Sequence, residues 1–216
     1  MGLCLTQAFI FDFDGTLVNS EQAIYECFQA ITKKLAPERI EYARNTLIGP
    51  PLHDTASEIL GKDYQNKIEE FKKLFIEMHD NQIIFHVQPY PFVSEVLREL
   101  YDQNIPMAIA TNKRKAPTIK LINHFGWNNY FKIIQCSNGP KKNKSKYEMI
   151  QDILDKFSEF NQSCLVGDTV NDGLAANNHN IPFVKASYGY GKNQDWSKIK
   201  KIKTINSFNQ IKSLIG

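Results

Sequence analysis

Short apolar runs recur along the chain, separated by stretches in which apolar residues return every three or four positions. Ala8-Phe9-Ile10-Phe11 is the first and the most sharply bounded, ending in Asp12-Phe13-Asp14-Gly15-Thr16. A run without polar alternation predicts a strand covered on both faces, the kind found in parallel sheets. Met107-Ala108-Ile109-Ala110, Lys132-Ile133-Ile134-Gln135-Cys136, Ser163-Cys164-Leu165-Val166 and Pro182-Phe183-Val184 read the same way. Between them, Phe92, Val96, Leu97 and Leu100 share one helical face, and Met149, Ile150, Ile153 and Leu154 share another. Strand alternating with helix predicts an α/β fold with a doubly wound parallel sheet.

Residues 20–88 break this rhythm. They hold no buried-strand pattern, while Ile24, Phe28 and Ile31, and then Ile68, Phe71 and Leu74 or Phe75, recur at helical spacing. This block reads as a helical lobe inserted after the first strand. Pro89 and Pro91 mark the return to the core, because proline does not continue a helix. The predicted division is a core of 1–19 and 89–216 and a helical domain of 20–88, without internal repeats or low-complexity tracts.

Composition narrows the class. With 216 residues, 42% hydrophobic and 23% charged, the chain can bury a core without covalent staples. Its 26 basic and 23 acidic residues leave a net charge of +3, too mild to imply nucleic acid. Two lysine-rich runs, 141–146 and 198–203, lack interleaved aromatics and read as solvated surface. Cys4, Cys27, Cys136 and Cys164 form no CxxC pair and read as reduced, buried thiols, which fits a cytoplasmic protein. No basic n-region or cleavage site points to secretion, and no apolar run is long enough to span a membrane. Met1-Gly2-Leu3-Cys4-Leu5-Thr6 fits the short myristoylation pattern, but a core strand two residues further on argues against an anchor.

The candidate chemistry lies where strands end. In open α/β sheets, ligands bind beyond the carboxyl ends of the strands. The first run ends in Asp12 and Asp14, two apart and so facing one side of an extended chain, with Gly15 permitting a tight exit. The second run leads into Thr111-Asn112, and the fourth into Gly167-Asp168-Thr169 with Asp172 four residues on. Taken singly, each has a plain reading: a turn, a helix cap, another turn. Asp12 does not open an EF-hand, because position twelve of that loop is Ala23 rather than Glu. Together, Asp12, Asp14, Asp168 and Asp172 would repel one another unless a hard cation such as magnesium sat among them.

These segments resemble motifs of the haloacid dehalogenase superfamily, specifically its phosphatases. Asp12-Phe13-Asp14-Gly15-Thr16-Leu17-Val18-Asn19-Ser20 resembles the first motif, Ala110-Thr111-Asn112-Lys113 the second, and Val166-Gly167-Asp168-Thr169-Val170-Asn171-Asp172 the fourth. The resemblance runs through essentially the whole chain. It implies a Rossmann-like core with an inserted helical cap, and residue roles with it. Asp12 would be the nucleophile that forms an aspartyl-phosphate, and Asp14 the general acid/base. Asp12, Asp168 and the backbone carbonyl of Asp14 would bind Mg2+, Asp172 would support the cluster, and Thr111 and Asn112 would hold the phosphate. For the lysine of the third motif two candidates stand. Lys146 opens a helix, as in some members; Lys144 fits the spacing of a Lys-Pro-x-Pro signature, although Ser145 and Tyr147 replace its prolines. Lys146 is preferred. Gly49-Pro50-Pro51-Leu52 and Tyr188-Gly189-Tyr190-Gly191 are similar to segments of the phosphoglycolate phosphatase-like group, while Asn19 and Phe92 replace the commoner Asp and Gly.

The resemblance therefore implies a magnesium-dependent phosphatase acting on small phosphorylated metabolites. A helical cap that already covers the site favours a monomer, and the mild charge and short apolar runs leave neither nucleic acid nor membrane as an expected partner. Dehalogenation is disfavoured because Asp14 is present, and dehalogenases of the superfamily lack that second aspartate. A sugar phosphomutase shares the motifs and stays open as the alternative. A non-catalytic phosphate-binding regulatory protein is weaker, since no motif carboxylate is missing.

Overall fold

The protein is described by a computed structural model covering residues 6–137, 144–200 and 202–215, with the side chains of 81–85 left aside. Cys4, most of the myristoylation-like segment, residues 141–143 of the first lysine run and Lys201 lie outside the described residues.

Strand β1 (Ala8–Phe11) forms where the first apolar run predicts it, and none of its four residues is exposed to solvent. The chain turns through residues 12–17 into the two-residue β2 (Val18–Asn19). Residues 20–88 then form a compact unit of their own. Its described helices are α1 (Glu21–Leu35), α2 (Ile40–Asn45), α3 (Leu52–Leu60) and α4 (Ile68–His86). The helical spacing read from the sequence becomes an aromatic core here: Phe28 of α1 lies 6.0 Å from Phe71 and 5.3 Å from Phe75 of α4. Phe75 is buried, whereas Leu74 is only half-buried.

The second unit comprises 6–19 and 89–215 of the described chain. The short β3 (Gln88–Pro89) pairs with β2. There follow α5 (Val93–Asp102), β4 (Met107–Arg114), α6 (Lys115–His124), β5 (Ile133–Ser137) and α7 (Lys146–Lys156). The chain continues through β6 (Ser163–Gly167), α8 (Val170–Asn178), β7 (Phe183–Ala186) and β8 (Ile202–Ile205). Six strands form one sheet in the order β5-β4-β1-β6-β7-β8, every pairing parallel. This is the doubly wound α/β architecture. The chain builds outward from β1 to β5, then returns to lay β6 on the other side of β1. That reversal opens the crevice at the carboxyl ends of β1 and β6.

Alternation along β1 supplies both faces of the core. Ala8 and Ile10 pack with Met149, Ile150 and Ile153 of α7 and Ala175 and Ala176 of α8. Phe9 and Phe11 stack on each other at 5.6 Å, and Phe11 meets Phe208 at the same separation. Among the described residues, no helix is long and apolar enough to cross a membrane.

Three expectations need correction. Phe92 does not share the buried face of α5. It stands just before the helix in a left-handed conformation (φ 69°) and is 51% exposed, and Val93 takes the buried place. β4 does not stop at Ala110 but continues to Arg114, with a register shift against β5 between Thr111 and Arg114. The second lysine run is not simply solvated surface: Ile199 is buried, and Ile202–Ile205 is an edge strand paired with β7. Lysines flanking two separated isoleucines read as a charge run, yet charged residues are how sheet edges avoid pairing with other chains.

Candidate active site

β1 delivers Asp12 to the carboxyl edge of the sheet, where its backbone N–H donates to the carbonyl of Val166 at 2.9 Å, continuing the β1–β6 ladder by one residue. β6 ends one residue before Asp168, so both aspartates leave neighbouring strands at the same edge. α8 begins at Val170, which brings Asp172 back within its first turn. Asp172 Oδ2 accepts from the Thr169 backbone N–H at 2.9 Å and from Thr169 Oγ1 at 2.6 Å. An acidic side chain in the first turn also complements the helix dipole. One carboxylate oxygen from each of Asp12, Asp168 and Asp172 lies within 4.8 Å of the other two, and all three residues are buried.

Lys146 enters this cluster as the first residue of α7. The helix start is fixed by Ser145: its hydroxyl accepts from the Glu148 backbone N–H at 3.2 Å, while the Glu148 carboxylate accepts from the Ser145 backbone N–H at 2.7 Å. A cation at a helix N-terminus opposes the dipole, so this ammonium needs anionic partners. Lys146 Nζ lies 2.7 Å from Asp12 Oδ1 and 2.5 Å from Asp172 Oδ1, and the residue is 4% exposed. Lys144 points elsewhere and pairs with Asp152, away from the three aspartates.

The charges are strongly coupled. Burial pushes the Asp12 carboxyl up to about 7; Lys146 opposes that rise and Asp172 adds to it. Burial, and then Asp172 and Asp12, hold the Asp168 carboxyl well above the ordinary carboxylate range. Burial alone would lower the Lys146 ammonium, but Asp12 and Asp172 outweigh it and push it above the usual lysine range. Three buried carboxylates thus share one buried ammonium, an arrangement that invites a further cation. The donors are all oxygen, which suits a hard metal ion.

Asp14 does not contribute its carboxylate to that trio. Its oxygens face Lys113 Nζ at 3.1 and 3.2 Å. Thr111 and Asn112 sit within β4 rather than beyond its end. Phe11 pairs with Ile109, so both residues follow at the same sheet edge as Asp12. The buried Thr111 hydroxyl accepts from the Lys113 backbone N–H at 3.1 Å.

Sequence reasoning left three contributors without a role. Lys113 was signalled only by standing two residues past Thr111 on a strand, hence on the same face. Thr16 donates through Oγ1 to Asp168 Oδ1 at 3.1 Å. The Tyr188-Gly189-Tyr190-Gly191 segment forms a strap over Asp168. The Tyr190 backbone N–H donates to Asp168 Oδ2 at 2.7 Å, and the Tyr188 hydroxyl donates to the Thr16 carbonyl at 3.0 Å. A Cβ on Gly189 would come within 2.3 Å of both the Asp168 Cβ and the Gly15 carbonyl oxygen, so only glycine lets the strap lie this close. Burial, Asp168 and Tyr90 keep the Tyr188 phenol protonated by pushing it well above its usual range.

Comparison with known proteins agrees with this geometry. The sequence profile of the haloacid dehalogenase-like hydrolases matches residues 9–186. A phosphoglycolate phosphatase from Psychrobacter arcticus is 26% identical, over 97% of this chain and 94% of its own length. A pyrophosphatase, PpaX, from Halalkalibacterium halodurans is 25% identical over 83% of this chain and 82% of its own. Among solved structures, a haloacid dehalogenase-like family hydrolase from Streptococcus pneumoniae superposes with a TM-score of 0.78 at 24% identity, covering 96% of this chain and 98% of that one. That structural likeness speaks for the fold alone, but the profile match runs from Phe9 in β1 to the end of β7 and takes in Lys113, Lys146 and every carboxylate described above: the chain belongs to the haloacid dehalogenase-like hydrolases.

Proposed function

We propose that this chain is a magnesium-dependent phosphatase of small phosphate monoesters, phosphoglycolate-like or sugar phosphates, working through a phosphoaspartate on Asp12. The observation that carries this reading is the buried trio of Asp12, Asp168 and Asp172 around the single ammonium of Lys146. Asp12, Asp168 and the backbone carbonyl of Asp14 would hold the magnesium ion, which when bound supplies positive charge to offset that of the incoming phosphoryl group.

The remaining work falls to the chain's own groups. A carboxylate oxygen of Asp12 attacks phosphorus as the ester P–O bond breaks. Asp14 passes a proton to the departing oxygen, then takes one from the water that attacks the acyl-phosphate and frees Asp12. Lys146 keeps Asp12 oriented and offsets its charge, and Asp172 fixes Lys146 in turn. The Thr111 hydroxyl and Asn112 are assigned to the phosphoryl oxygens. The helical unit 20–88 is assigned the part of a cap that selects the alcohol portion of the substrate.

The test is a phosphate-release screen over small monoesters, headed by phosphoglycolate and hexose phosphates, with pyrophosphate included because one relative bears that activity in its name. Release with magnesium, its loss in EDTA and its loss in Asp12→Asn are the expected results. Activity that survives both EDTA and Asp12→Asn would overturn the mechanism. Isomerised sugar phosphate without free phosphate would assign a mutase instead.

A further inference from the structure

We propose that Lys113 is a positioning residue for Asp14, its ammonium fixing the direction in which that carboxyl group meets the leaving-group oxygen. The inference rests on the reading of Asp14 as the acid that protonates the leaving group. Lys113 Nζ stands 3.1 Å from one carboxylate oxygen of Asp14 and 3.2 Å from the other, straddling the group rather than touching one corner of it. The Lys113 side chain is 5% exposed and that of Asp14 16%, so water competes weakly for either.

Asp14 follows β1 and Lys113 lies on β4, its parallel neighbour in the sheet. Their ion pair therefore ties the loop carrying the acid to the strand carrying Thr111, whose hydroxyl is itself bonded to the Lys113 backbone N–H. The two motif carboxylates are thus served separately: Lys146 faces Asp12, and Lys113 faces Asp14. The ammonium fixes which edge of the carboxyl group is turned to the substrate. Without it, Asp14 loses a partner to both of its oxygens, and with it part of the alignment that proton transfer needs.

Leaving-group dependence reads this role directly. In phosphoenzyme formation the P–O ester bond breaks while the Asp14 proton moves to the departing oxygen. A poor leaving group depends on that proton and a good one hardly does. The experiment measures kcat/KM with magnesium for p-nitrophenyl phosphate and p-methoxyphenyl phosphate, esters of similar size. Lys113→Met should lower kcat/KM for the methoxy ester about ten-fold more than for the nitro ester, since general-acid catalysis contributes at least that much. Lys113→Gln, which keeps a neutral donor, should show the same split. Lys113→Arg, whose fork also spans both carboxylate oxygens, should restore most of it. An equal loss on both esters would mean that Lys113 merely supports the fold or binds substrate, and overturns the proposal while leaving the phosphatase reading intact. If the wild-type protein releases phosphate from neither these esters nor any monoester of the screen above, the phosphatase reading fails and takes this inference with it.

Discussion

Lys146 Nζ lies 2.7 Å from Asp12 Oδ1, although the two residues are 134 positions apart and belong to different elements of the core. The pair is buried and Lys146 also holds Asp172, so the ammonium is the sole described cation offsetting the three clustered carboxylates. Lys146→Ala should lower kcat/KM by about a thousand-fold, the scale seen when a charge-stabilising group is lost from a water-excluded site. Lys144→Ala should leave it within about three-fold, because its half-buried pair with Asp152 lies away from the three aspartates and surface ion pairs contribute little. Steady-state kinetics on both variants decides between them; a large loss from Lys144→Ala alone would reverse the assignment.

Why pattern prefers Lys146 but leaves Lys144, only two residues away, as a rival is physical. Both sit in a basic run, and which one turns inward depends on where the helix starts. That start is set by the mutual bonds of Ser145 and Glu148, a local signature embedded in the charge run. The buried strands were legible because continuous apolar runs have few other uses in a chain of this size. β8 was not, since an edge strand carries lysines in place of that signal. Phe92 was misplaced because helical periodicity counts its side chain and ignores its backbone angle. The carboxylates at the ends of β1 and β6 could be nominated from the sequence, but their mutual distances depend on strand order, which no local pattern encodes.

Gly15 faces two constraints, a left-handed backbone (φ 81°) and the Asp168 carboxylate, which a Cβ would approach to 2.2 Å. Gly126 has a similar angle (φ 74°) with nothing within 4 Å of an added Cβ. Gly126→Ala should therefore cost about 1 kcal/mol, the conformational strain alone. Gly15→Ala must in addition displace Asp168, and should weaken magnesium binding as well as stability. Calorimetric titration with magnesium alone, together with urea unfolding of both variants, separates strain from crowding. Equal effects of the two substitutions would show that Asp168 yields without consequence.

Phe92 holds a left-handed angle without the freedom of glycine, and its ring, 51% exposed, recovers little by burial. Phe92→Gly should stabilise the protein by about 1 kcal/mol, because glycine populates this region without a Cβ penalty. Phe92→Ala should not, since alanine keeps the Cβ. Urea midpoints of the two variants against wild type provide the comparison. A loss of stability in Phe92→Gly would indicate that the exposed ring packs in a way its surroundings do not suggest.

Burial pushes the Cys136 thiol up to about 11 and the Cys164 thiol up to about 12, from an ordinary value of 9.0. Both thiols hold their protons more tightly folded than unfolded. Their contribution is therefore complete below pH 9 and is lost as pH rises through the interval from 9 to about 12. Native protein at pH 8 should resist iodoacetamide at both positions, and urea stability should fall above pH 9. Cys164→Ala should make that fall shallower, whatever its effect on stability at neutral pH.

Asp12 illustrates how such a site works against the fold that carries it. Three carboxylates buried within 4.8 Å of one another repel, and one ammonium offsets only part of that repulsion. Asp12→Asn removes one negative charge and keeps an oxygen to face Lys146. In EDTA it should raise stability at neutral pH and above, because burial and Asp172 hold the Asp12 carboxyl up at about 7 against an ordinary 3.8, so its ionised form opposes folding. Magnesium should then raise the urea midpoint of the wild type and barely move that of Asp12→Asn, because a ligand that binds only the folded state stabilises it in proportion to its affinity. The variant should be inactive under both conditions. If Asp12→Asn is instead the less stable protein in EDTA, Lys146 balances the cluster without a metal, and the charge argument for a bound cation fails.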